Sequence, residues 1–244
     1  MRILVLQHVD VEHPGAFRDF WAEAGITWDA VELDEGEPIP SLDPYDLMVV
    51  MGGPQDVWQE DLHPWLVPEK AAIHRWVMEL RRPYLGVCLG HQLLAEVIGG
   101  TVELGARSEV GPTPARLTAA GQKDPLFSGI DPDLMTFQWH SAEVTSLPKG
   151  ASILAENDAC AVQALRYSNH AYGLQYHVEL TSDTIPEWRA IPAYSASLAE
   201  AVGEENVPAM VADTETKLPA FRQVARRLND NLMQIVGATR LVTT

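Results

Sequence analysis

The chain has 244 residues, 46% of them hydrophobic, and carries a net charge of −17 from 34 acidic against 17 basic residues. That balance repels nucleic-acid phosphates and anionic membranes, so neither is expected as a partner, and the acid reads as solubility with room for a basic partner. No apolar run approaches the roughly 18 residues that cross a membrane, no secretory leader is seen, and two cysteines fit one α/β core in a reducing cytoplasm.

In chain order, residues 2–7 read as a buried opening strand, 14–24 as a helix, and 28–33 and 46–51 as further strands. This alternation predicts a parallel sheet. Over 65–82, Ile73, Trp76, Val77 and Leu80 recur at i, i+3, i+4 and i+7, the spacing of a helix with one apolar face, and Pro83 ends it. After a strand and helix around residue 88, the segments 110–117, 134–139, 152–156, 161–167 and 171–177 read as shorter strands that extend the sheet in mixed orientation. From Asp183 onward the pattern is helical. Phe221, Val224, Ala225, Leu228, Leu232 and Ile235 stripe a final helix over 218–235, which predicts a tail that docks. The expected organisation is a catalytic domain over 1–182 and a helical extension over 183–244 packed on that same domain. Neither a Walker-type phosphate loop nor a dinucleotide glycine fingerprint is present.

Chemistry concentrates in Tyr84-Leu85-Gly86-Val87-Cys88-Leu89-Gly90-His91-Gln92, an apolar strand ending in a glycine-bracketed cysteine that opens a helix. Such a strand-to-helix elbow exposes its central side chain above the sheet edge, and the helix N-terminus favours negative charge on the sulfur. A packed strand cysteine is the blander reading of the same letters. Cys160, among apolar strand residues with no basic neighbour in sequence, reads as an inert packed thiol.

A thiol nucleophile needs a base. His177 closes Gly173-Leu174-Gln175-Tyr176-His177-Val178-Glu179, and in extended chain residues i and i+2 project to one side, so Glu179 is positioned to orient His177. His140, in Phe137-Gln138-Trp139-His140-Ser141-Ala142-Glu143, is the rival; it follows a strand, and its carboxylate lies three residues away in a loop. His8, Asp10, Glu12 and His13 resemble a metal site by composition but match no ligand spacing, and read as a solvated loop. Oxyanion donors are expected from the amide of Leu89 and from the Gly52-Gly53-Pro54 turn after the 46–51 strand, through the amide of Gly53.

Four segments, Gly52-Gly53-Pro54, the elbow, Trp139-His140-Ser141 and Gly173 to Glu179, stand in the order found in the class I (triad-type) glutamine amidotransferases, which the chain resembles over about residues 1–180. The resemblance is nearest to the glutaminase domain of GMP synthases. It implies a flavodoxin-like three-layer α/β sandwich with a mostly parallel central sheet, and a catalytic triad of Cys88, His177 and Glu179. By the same resemblance Gly53 and Leu89 hold the oxyanion, while Gln92, Gly52, Trp139 and His140 line bound glutamine. No metal or organic cofactor is needed for that chemistry. Val178 stands where the family usually has proline, a change to the stiffness of the turn rather than to its chemistry. The implied reaction is hydrolysis of the glutamine side-chain amide through a γ-glutamyl thioester, with ammonia passed to a synthase on a separate chain. The alternatives are a stand-alone γ-glutamyl peptidase with the same triad and a non-catalytic regulatory subunit.

Overall fold

The computed structural model describes residues 1–243. Its centre is a nine-stranded sheet in the order β2-β1-β3-β4-β9-β8-β7-β5-β6. The parallel half comprises β1 (Arg2–Gln7), β2 (Thr27–Glu32), β3 (Leu47–Val50), β4 (Tyr84–Val87) and β9 (Ala171–Leu174). From β9 outward, β8 (Ala164–Tyr167), β7 (Ala151–Glu156), β5 (Thr101–Leu117) and β6 (Asp133–Ser146) pair antiparallel. The fold is the expected α/β sandwich, its sheet parallel at one edge and extended by strands of mixed orientation. The physical reason is connection length: β1 to β2 and β3 to β4 are joined through helices, whereas β8 and β9 are linked by a short turn that permits only antiparallel return.

The opening strand is apolar on both sides because both faces are covered. Ile3 and Val5 pack under α1 (Ala16–Glu23) and the long α6 (Val207–Thr243), while Leu4 and Leu6 pack under α2 (Leu66–His74) and α3 (Leu89–Val97). The expected 65–82 helix is α2 followed by a π-turn at Arg75–Glu79, closed by the Leu80 N–H donating to the Arg75 carbonyl at 2.9 Å.

Two elements exceed their expected bounds. β5 begins nine residues before the expected 110, because its outer half is exposed and polar and owes its extension to backbone pairing with β6, a source without a side-chain pattern. Likewise β6 runs through His140 to Ser146, so His140 sits inside a strand and not in the loop after one. Conversely, the chain leaves β9 after Leu174, and His177 is held instead by reciprocal backbone bonds with Phe137, of 2.8 and 3.0 Å.

Beyond Asp183, α4 (Thr184–Ala190), α5 (Pro192–Val202) and the start of α6 form a third apolar cluster with Phe137 and Trp139 of β6. α6 starts well before the expected 218 and carries Pro219 within it. Phe221, Ala225, Leu228 and Leu232 are buried along its length, with Val224 and Ile235 partly covered. Among the described residues no helix is long and apolar enough to cross a membrane.

Candidate active site

Cys88 stands between β4 and α3 with φ 50° and ψ −105°, a conformation rare for a residue with a side chain. The flanking glycines serve a different need, close approach: a Cβ on Gly86 would lie 2.2 Å from the Gly90 carbonyl oxygen, and one on Gly90 2.1 Å from the Val50 carbonyl oxygen. The elbow is thereby pressed onto the end of β3, and the Gly90 N–H donates to Met51 O at 3.1 Å. This brings the Gly52-Gly53 turn against α3, where a Cβ on Gly53 would meet Leu89 Cδ2 at 3.2 Å.

His177 neighbours the Cys88 thiol, which raises the proton affinity of its imidazole. On its other side, Nδ1 is 2.6 Å from Glu179 Oε1, and Glu179 Oε2 accepts the Val178 N–H at 2.9 Å. Burial works against charge on His177, but the Glu179 carboxylate and the hydrogen bonds to it and to Cys88 outweigh it, holding the imidazole well above its usual 6.5. Burial likewise opposes the Glu179 charge, and His177 overcomes it to hold the carboxyl below its usual range. The Trp188 ring of α4 stands edge-on to His177 at 4.8 Å.

Of the other expected residues, Gly53, Leu89, Gln92, Trp139 and His140 line a cleft of about 120 Å³ in front of Cys88, and Gly52 does not. Gln92 lines it, with its Nε2 donating to Ala142 O at 3.0 Å and to Gln175 Oε1 at 3.1 Å. Trp139 lines it too; its carbonyl lies 3.9 Å from Cys88 Sγ, and its indole N–H donates to Ser197 Oγ of α5 at 3.0 Å. His140 borders the cleft, but Nδ1 is turned to Ala142 O at 3.0 Å and Nε2 toward Glu109 at 3.3 Å. Cys160 does not line this cleft; it is buried, and burial pushes its thiol up to about 12.

Several contributors had no visible signal in the sequence. Gln175 Nε2 approaches Cys88 Sγ at 3.8 Å. The reading of His8 and Glu12 as a solvated loop is overturned, because both are buried, while Asp10 is exposed and His13 half-buried. His8 has Nδ1 2.7 Å from Gly52 O and Nε2 2.8 Å from the fully buried Glu69, so it props the turn beside the elbow. Glu12 accepts the Tyr194 hydroxyl from α5 at 2.5 Å. These partners lie 61 and 182 positions apart, which is why no local pattern announces them.

Burial lowers the proton affinity of His8, but Glu69 more than compensates and the imidazole titrates above its usual 6.5. The stability this pair supplies is therefore full below pH 6.5 and is lost as pH rises through the raised folded-state value. His8→Ala leaves Glu69 as an uncompensated buried charge, with an expected cost of about 3–5 kcal/mol. Urea unfolding near neutral pH measures it; a loss below about 1 kcal/mol would mean that Glu69 has found another partner or a proton.

The family model described as "Glutamine amidotransferase class-I" matches residues 19–187. A glutamine amidotransferase-like protein of Salmonella typhimurium, YfeJ, is 32% identical over 76% of this chain and 78% of its own length. A glutamine-hydrolyzing GMP synthase subunit of Sulfurisphaera tokodaii is 32% identical over 62% of this chain and 76% of its own. Gamma-glutamyl peptidase 5 of Arabidopsis thaliana is 29% identical over 70% and 69%. The crystal structure of a glutamine amidotransferase from Thermotoga maritima superposes with a TM-score of 0.85 at 27% identity, covering 97% of this chain and 98% of that one. A match running from α1 into α4, and relatives spanned for three-quarters of their length, make the chain a member of the class-I glutamine amidotransferase family.

Proposed function

We propose that the chain hydrolyses the side-chain amide of glutamine through a γ-glutamyl thioester on Cys88. The observation that carries this reading is a buried His177 set between Cys88, which lines a small cleft, and the Glu179 carboxylate. The sulfur attacks the γ-carbonyl carbon, and the resulting oxyanion rests on the amides of Gly53 and Leu89. His177, as imidazolium, gives its proton to the departing nitrogen; the C–N bond breaks and ammonia leaves. Water then gives a proton to His177 while its oxygen attacks the thioester, the C–S bond breaks, and glutamate is released with the thiolate restored. Gln92, Gly52, Trp139 and His140 shape the cleft for the substrate. The ammonia passes to a separate synthase chain, a reading supported by the relative named as a glutamine-hydrolyzing GMP synthase subunit. The cytoplasm suits this chemistry, since both cysteines are free.

The relative named as a γ-glutamyl peptidase favours a second reading, in which the same triad opens larger γ-glutamyl amides. Comparing kcat/KM for glutamine and for a γ-glutamyl dipeptide decides between them.

Roles within the triad are tested by single substitutions. His177→Ala is expected to lose roughly 10⁴-fold or more in kcat, Glu179→Ala somewhat less, and His140→Ala chiefly to raise KM or lower stability. An inactive His140 variant beside an active His177 variant would reverse the assignment of the base.

A further inference from the structure

Behind the cleft, three side chains from three segments converge. Glu109 of β5 and His140 of β6 are directly paired across the antiparallel ladder, and Cys160 comes from the connection between β7 and β8. One ligand atom from each, a carboxylate oxygen, an imidazole nitrogen and Sγ, lies within 4.8 Å of the other two, and all three residues are buried. Among the described residues no other three such side chains meet in this way.

The orientation of His140 makes this more than a polar cluster. Its Nδ1 is 3.0 Å from the Ala142 carbonyl, an acceptor only, so the Nδ1–H donates there and Nε2 is the ring nitrogen left facing inward. That Nε2 is buried, with its side chain 4% exposed, and has no hydrogen-bond partner; Glu109 Oε2 lies 3.3 Å away, off the line of a hydrogen bond. For zinc bonds of about 2.0–2.1 Å in a tetrahedron, the edge between nitrogen and oxygen is about 3.3 Å.

The surroundings are those of a supported ligand set. Asn157 Nδ2 donates to Glu109 Oε1 at 2.8 Å, and Gln163 Nε2 donates to Oε2 at 3.0 Å. Asn157 Oδ1 in turn accepts the backbone N–H groups of Ala159 and Cys160 at 2.9 and 2.7 Å, fixing the turn that presents the thiol. Glu109 and Asn157 also border an outer cleft of about 340 Å³, a route by which an ion enters.

We propose that Glu109, His140 and Cys160 bind one divalent zinc-class cation, with water in the fourth position and the Cys160 proton released to solvent on binding. A mixed sulfur, nitrogen and oxygen set selects zinc over magnesium or calcium. The ion clips β5 and β6 to the β7–β8 connection and holds the His140 ring. Trp139, next in sequence, presents the carbonyl that contacts Cys88, so occupancy bears on the shape of the cleft without a part in the chemistry.

The test is metal binding by the full purified chain, freed of metal with a chelator and titrated with Co²⁺ and then Zn²⁺. One equivalent of cobalt is expected to give a thiolate-to-metal charge-transfer band that zinc displaces. The band should persist in Cys88→Ala, vanish in Cys160→Ser, and need at least tenfold more cobalt in Glu109→Gln. Zinc should raise the melting temperature of the parent but not of Glu109→Gln, a comparison that stands even if Cys160→Ser does not fold. A parent without the band, a band lost with Cys88→Ala, or equal affinity in Glu109→Gln would overturn the proposal and leave Glu109 and His140 as an ion pair. No outcome depends on glutamine hydrolysis.

Discussion

Cys88→Ala is expected to abolish glutamine hydrolysis, with kcat falling roughly 10⁴- to 10⁶-fold, the range seen when a nucleophile is removed from a working triad. The substitution is clean because alanine keeps the Cβ and meets the same positive φ of 50°, so the elbow and its glycine contacts stay as they are. What disappears is the only sulfur among the described residues that line the cleft. A glutamine-like chloroketone is expected to alkylate Cys88 and leave Cys160 untouched, because Cys160 is 1% exposed and its thiol is held near 12. Mass mapping of the labelled chain, beside an ammonia-release assay, checks both halves. Turnover surviving in Cys88→Ala, or label on Cys160, would remove the elbow from the mechanism.

How far the site was legible before the structure depends on the range of the interactions. The elbow is a local object: a short apolar strand, two glycines that tolerate no Cβ and a helix start all fall within nine letters. His177 and Glu179 are two residues apart, and the extended backbone between them suffices to set Nδ1 against the carboxylate. By contrast, His8 meets Glu69, Glu12 meets Tyr194 and Glu109 meets His140 only because sheet register and helix docking bring distant segments together. Composition around His8 and Glu12 suggested solvent, since charged residues are buried only when a partner is available, and here each partner is remote in sequence. The same limit applies to β5, whose outer half has no apolar alternation and is a strand because β6 supplies its hydrogen bonds.

Truncation after residue 182 is expected to cost both solubility and activity. Phe221, Leu228 and Leu232 of α6, with Trp188 of α4, are each no more than 3% exposed. At about 1.5–3 kcal/mol for each large apolar side chain buried, their removal forfeits much of the 5–15 kcal/mol that keeps a typical domain folded. It also bares the apolar faces of β6 and α1 that they cover, an invitation to aggregation. Polar ties would go as well: Trp21 Nε1 donates to Asn229 Oδ1 at 3.0 Å, and Arg222 and Arg226 pair with Asp19 and Glu23 of α1. The loss reaches the chemistry because α4 and α5 wall the site, Trp188 against His177, Tyr194 on Glu12 and Ser197 on Trp139. Trp188→Ala separates the two effects: the rest of the tail remains docked, so the protein should stay soluble while kcat falls and the pH profile of kcat shifts with the environment of His177. Soluble expression of the 1–182 form with full turnover would show that these helices neither complete the core nor build the site, and would recast them as a docking surface for a partner.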